Sequence, residues 1–239
     1  MKTLTQFFLA WCALTTLVFI GCESTTDDQI NKAQACLNQA DTSADATNCL
    51  PIIENISGEK AARIRCALTF IVNGLTQQQI IDTFKNLKEP PTGDSPFAYL
   101  YSGLSIGDQD ADTNWDGDNR LTEADDQLTL CQASNSPSMV SIAYISRLGT
   151  YTQKQVDAVG TGDLSNIGQM TDPTVLAALP DDVLVGMGQY TFDEYCNGGN
   201  ENESEICETL VNAGYGTTTD AATLADSLRS CFDDNDCSN

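Results

Sequence analysis

The amino-acid sequence predicts an all-α protein, an irregular bundle or short array of about nine or ten helices with a disulfide-stapled core. Three observations predict it. Apolar residues after position 27 recur at helical spacing, and alternating Val/Ile/Thr strand patterns are missing. Caps and stops punctuate the chain at short intervals. Eight cysteines, an even number, remain after residue 22: Cys36, Cys49, Cys66, Cys131, Cys196, Cys207, Cys231 and Cys237.

Taken in order, helices around residues 28 to 40 and 45 to 55 are expected to fold back on each other about the turn DTSAD. In SGEKAARIRCALTFIVNG, Ser57 is the expected cap, Ala61, Ile64, Ala67/Leu68 and Ile71 step at helical spacing, and Gly74 supplies the stop. Thr76 with Gln79 three residues later has the form of a capping box for QQQIIDTFKNL, and Pro90-Pro91 ends that segment. Beyond the acidic stretch a helix is expected from about 122 to 132. Ser136-Pro137 then opens PSMVSIAYISRL, with Gly149 as its stop. Asp172-Pro173 starts TVLAAL, Pro180 starts DDVLVGMGQYTFDEYC, ESEICETLVNA stops at Gly214, and Asp220 caps AATLADSLRSC. Phe70, Ile71, Phe84, Tyr99, Ile142 and Ile145 are expected in the core rather than in a pocket. Paired helices of this length bear a weak resemblance to tetratricopeptide units, without their fixed period or Trp/Gly/Tyr/Pro signature.

The first 22 residues, MKTLTQFFLAWCALTTLVFIGC, have one basic residue, Lys2, and a charge-free, mostly apolar run from Phe7 to Ile20. That is the layout of an export signal, and the run is shorter than the roughly 20 residues of a membrane span. Phe19-Ile20-Gly21-Cys22 resembles the lipobox of bacterial lipoproteins, although Phe19 stands where Leu is usual. The resemblance implies cleavage before Cys22 and lipidation of that cysteine, palmitate among the chains attached. Several buried acyl chains, at about 0.8 kcal/mol per CH₂, hold a protein stably on a bilayer. The expected organisation is therefore a signal peptide over 1-21, lipidated Cys22 with a polar tether over 22-27, and a helical domain over 28-239. In that family Asp directly after the lipidated Cys favours inner-membrane retention. Glu23 stands there instead, so the resemblance points to the periplasmic or surface face of the outer membrane.

The signal removes one of the 11 basic residues and none of the 34 acidic ones, leaving a net charge of −24. Such a surface repels phosphate backbones and anionic headgroups, so no nucleic-acid partner is expected. With no histidine and no CxxC, zinc and thioredoxin-type chemistry lack their ligands. Disulfides in an oxidising cell envelope are the expected use of the eight cysteines, which allow 105 connectivities. Folding the first two helices as a hairpin sets Cys36 and Cys49 equally far from its midpoint and facing each other. Cys196 with Cys207 and Cys231 with Cys237 are short closures, and Cys66 with Cys131 follows by elimination.

The stretch NWDGDNRLTEAD, residues 114 to 125, lies within an acidic segment at about 108-126 that has eight carboxylates and one arginine. It resembles a single EF-hand loop. The resemblance implies Ca²⁺ held by Asn114, Asp116, Asp118, the Arg120 carbonyl, Thr122 and Asp125, with Leu121 as the apolar anchor at loop position 8. Asn119 replaces the usual Gly at position 6, and Asp125 is one methylene shorter than the usual Glu at position 12, which implies weak affinity. A register starting at Asp112 restores both, through Gly117 and Glu123, but places Asn119 at the apolar position. The first register fits Leu121 and the exiting helix better. Crowded carboxylates repel one another unless a cation is present.

These readings converge on a membrane-anchored cell-envelope lipoprotein, a calcium-stabilised helical module that is structural or binds another envelope protein. A small-molecule or peptide-binding lipoprotein serving a transporter is the alternative. An enzyme is not expected, since the usual serine and cysteine triads need a histidine base and carboxylate-pair chemistry leaves no diagnostic spacing.

Overall fold

The computed structural model describes residues 25–88, 103–106, 117–158, 173–196, 210–217 and 220–234. Among them there are nine α-helices and no strand. They are α1 (Thr25–Leu37), α2 (Ser43–Ile53), α3 (Glu59–Val72), α4 (Gln77–Lys88), α5 (Gly117–Gln132), α6 (Pro137–Ala158), α7 (Pro173–Ala178), α8 (Asp181–Thr191) and α9 (Ala221–Asp234). A π-helical turn, Phe192–Cys196, continues α8. The all-α expectation holds, and none of these helices is long and apolar enough to cross a membrane.

The chain turns between α1 and α2 just ahead of the expected DTSAD, because Thr42 caps α2: its hydroxyl accepts the Asp45 N–H at 3.2 Å. Cys36 and Cys49 are thereby disulfide-bonded, with Cα atoms 5.7 Å apart, as the hairpin argument requires. At the far end of α2 the carbonyls of Glu54 and Ile56 accept from Arg65 Nη1 at 3.0 and 2.9 Å, so an α3 side chain satisfies groups that the helix end leaves open.

Ser57 is not the cap of α3. Gly58 is, with φ 109° and ψ 163° and no side-chain cap bond, a backbone region open essentially only to glycine. Gly74 does stop α3. At φ 89° it lets its own N–H reach Ile71 O and the Leu75 N–H reach Phe70 O at 2.8 Å, which closes the helix with a left-handed cap. Gly214 repeats the arrangement. Thr76 accepts the Gln79 N–H at 3.2 Å, one half of the expected capping box, while the Gln79 side chain turns to Gly103 O instead. Asp220 caps α9 through Thr223 N at 3.0 Å, and the Thr223 hydroxyl bonds to the same carboxylate, holding it below the usual carboxylate pKa.

Two further boundaries differ from expectation. Gly149 does not end a helix: α6 runs through it for 22 residues. A glycine costs a helix interior about 1 kcal/mol relative to alanine, but Leu148, Val156 and their neighbours are buried on both sides of it, and packing outweighs that cost. Likewise α5 starts at Gly117, several residues ahead of 122.

Three apolar clusters follow one another along the chain. The first unites α1, α2 and α3 through Ala33, Ala46, Ile53, Ile64 and Leu68. The second joins α3 to α5 and α6 through Phe70, Leu104, Leu128 and Val140, and encloses the Cys66–Cys131 bridge, both of whose residues are fully buried. The third packs α6 against α7, α8 and α9 through Val156, Val183, Tyr215 and Leu224. Helices α3 and α6 each contribute to two clusters, so the molecule is a short array whose layers share walls. Cys196 is buried and disulfide-bonded. Cys207, Cys237 and the Cys231 side chain lie outside the described residues, and with them the expected Cys196–Cys207 and Cys231–Cys237 closures.

Candidate functional site

The acidic segment enters the described residues at the start of α5. Asn114 and Asp116 lie outside them, as do Asp108, Asp110 and Asp112, and the Asp118 side chain is not described. Arg120, Thr122 and Asp125 are on α5 itself. Seven residues of helix at about 1.5 Å each separate Asp118 from Asp125 by roughly 10 Å along the axis.

The two carboxylates proposed for loop position 12 each have an arginine. Arg120 Nη1 donates to Glu123 Oε2 at 3.2 Å, one helical turn along. Asp125 faces α6, where its Oδ1 accepts from Arg147 Nε at 2.6 Å and its Oδ2 from the Tyr151 hydroxyl at 3.1 Å. Arg147 also donates from Nη2 to Asp182 Oδ2 at 2.7 Å, so one guanidinium bridges α5, α6 and the start of α8. Its carbon Cζ lies 5.3 Å from the centre of the Tyr151 ring, a cation–π distance. Asp125 is thus part of an ion-pair junction among the described residues. Among those residues no group of three or more acidic or cysteine side chains is placed to hold a metal ion.

The electrostatics of the junction follow from partial burial. The Arg147 side chain is 14 % exposed while its two carboxylate partners are more open. Burial by itself lowers the guanidinium pKa, but hydrogen bonds and charge from Asp182 and Asp125 outweigh it, and the net shift is upward. Tyr151 is raised as well, first by burial and then by the negative charge of Asp125. Both groups keep their neutral-pH charge states firmly, which suits a structural clamp.

Sequence reasoning missed this junction. The available clue was Arg147 itself, a lone cation within the apolar run SIAYISRLGTY, which needs anionic partners once that run is buried. Its partners are 22 and 35 residues away, beyond any local pattern.

A second concave feature lies where α1, α3, α4 and α6 meet. It is an open groove of about 840 Å³ whose apolar lining includes Leu37, Phe70, Ile71, Leu75, Ile81 and Met139. Phe70 and Ile71, expected as core, are 5 % and 8 % exposed and act as both core and groove floor. The Phe84 side chain and Tyr99 lie outside the described residues.

Compared with known proteins, the chain matches no family model, no curated protein and no solved structure.

Proposed function

We propose that the chain is a cell-envelope lipoprotein, anchored through diacylated Cys22, whose disulfide-stapled helical array is a structural or protein-interaction module. The observation that supports it most is the Cys66–Cys131 bridge, closed in the fully buried centre of the array across 65 residues. Bridges of that kind persist in oxidising compartments, and the lipobox-like FIGC offers the matching export route. No catalytic role is proposed.

In this reading the segment 108–126 binds calcium, on the strength of its eight carboxylates against one arginine. Binding in the first register takes Asp125 from Arg147; binding in the second takes Glu123 from Arg120. In the first register calcium thus acts on the contact that ties α5 to α6, and in the second on a pair within α5. The groove favours a second reading, a small-molecule or peptide-binding lipoprotein serving a transporter, because its volume falls within the usual range for ligand sites.

Palmitate labelling of cells producing the full chain tests the anchor. Label is expected in wild type, in the membrane fraction, and absent from Cys22→Ser. Equal labelling of both, or none in either, overturns the reading.

A further inference from the structure

We propose that the groove between α1, α3, α4 and α6 docks an amphipathic helical segment of a partner protein, one carrying lysine or arginine beside its apolar stripe. This rests on the reading of the chain as an interaction module and supplies the partner's chemistry.

The floor is apolar and built. Phe70 and Ile71 are packed from below, and Leu75 is fixed by the α3 cap. Met139 stands at the edge, an unbranched side chain that adapts to different partners. At the rim, Ile81 is 49 % exposed, one of two large apolar side chains so exposed among the described residues. An isolated exposed isoleucine carries no message, but one bordering an apolar groove enlarges a continuous surface. A helix lying across it covers floor and rim together, through anchors at i, i+3, i+4 and i+7.

Charge selects the partner. Among the described residues no lysine or arginine lines the groove, and Asp41 lies at one rim. On the α4 side the lining residue Gln78 donates from Nε2 to Asp82 at 2.9 Å, placing a second exposed carboxylate beside the opening. Lys85 is exposed one turn beyond Ile81 and does not line the groove. With a net charge of −23 on the whole chain, anionic peptides and anionic lipid are repelled and a cationic rim on the partner is drawn in.

The test is fluorescence anisotropy with the full chain in detergent and a labelled peptide of about 16 residues, long enough for four turns. Its leucines follow helical spacing and its other positions are mainly lysine. One control scrambles the same composition; another replaces lysine by glutamate. The helical lysine peptide is expected to saturate, and both controls to bind about tenfold more weakly or worse. Ile81→Asp, at a half-exposed position that folding tolerates, is expected to cost about tenfold. Asp41→Lys is expected to weaken binding and flatten its salt dependence. Circular dichroism checks that both variants keep the wild-type fold. No saturable binding, equal binding of the scrambled peptide, or indifference to Ile81→Asp overturns the proposal. None of these outcomes alters palmitate labelling at Cys22, so failure here and failure of the lipoprotein reading are separable.

Discussion

Asp125 on α5 and Arg147 on α6 form the shortest link of a three-helix junction, Oδ1 to Nε at 2.6 Å, and Arg147 extends it to Asp182 at the start of α8. The junction as a whole joins the second apolar layer to the third, and it uses a carboxylate that the EF-hand resemblance would give to calcium. A double-mutant cycle measures it. Asp125→Ala and Arg147→Ala, alone and combined, are expected to give a coupling energy of about 1 kcal/mol in urea unfolding, modest because Asp125 is 44 % exposed. The same cycle on Lys32 and Asp28, exposed on both sides, is expected to give a few tenths at most.

The two disulfides whose cysteines both lie among the described residues differ in the loop they close. Cys36–Cys49 spans 13 residues and Cys66–Cys131 spans 65. Chain-entropy arguments give about 3 and about 4 kcal/mol respectively. Replacing both Cys66 and Cys131 by alanine is therefore expected to lower stability more than replacing Cys36 and Cys49. Urea midpoints check the order, and the reverse order contradicts it.

Much of the architecture was legible in the sequence because it is written locally. The Gly74 and Gly214 stops, the Asp220 cap and the Pro137 and Pro173 starts each depend on a few neighbouring residues, and each is where the pattern puts it. The hairpin symmetry of Cys36 and Cys49 is local too. Gly149 misled because burial on the flanks of α6 overrides the propensity of one residue. Gly58 displaced Ser57 because the chain must enter α3 through a backbone angle that serine rarely adopts. The Asp125–Arg147–Asp182 junction was illegible for a different reason: pairing at long range depends on how layers stack, which no periodicity reports.

Alkaline pH singles out Tyr215. It is 1 % exposed, and burial raises its pKa above the ordinary value. Its protonated form is favoured in the folded state, so its contribution is whole below the unfolded pKa of about 10 and is lost as pH rises beyond that toward the folded value. Thermal melts are expected to show stability falling above about pH 10. The fall should be shallower in Tyr215→Phe, which gives up only the long 3.4 Å bond to Val185 O. An identical pH profile in the variant contradicts the assignment.

Calcium can be followed through Trp115. In the proposed mature chain, without Trp11, it is the one tryptophan, and it lies inside the acidic segment. Its emission is expected to change on calcium titration and to stop responding in Asp116→Ala, while chelator lowers the melting temperature. The arginines distinguish the registers: Arg147→Met tightens binding if Asp125 is the ligand, and Arg120→Ala tightens it if Glu123 is. A flat titration with an unchanged melting temperature in chelator leaves a solvated loop.

The most direct measurement is mass spectrometry of the amino-terminal peptide from protein extracted from membranes. A lipid-moored module requires that peptide to begin at Cys22 and to carry acyl chains. A peptide that begins at Met1, or one in which Cys22 bears no lipid, contradicts the account.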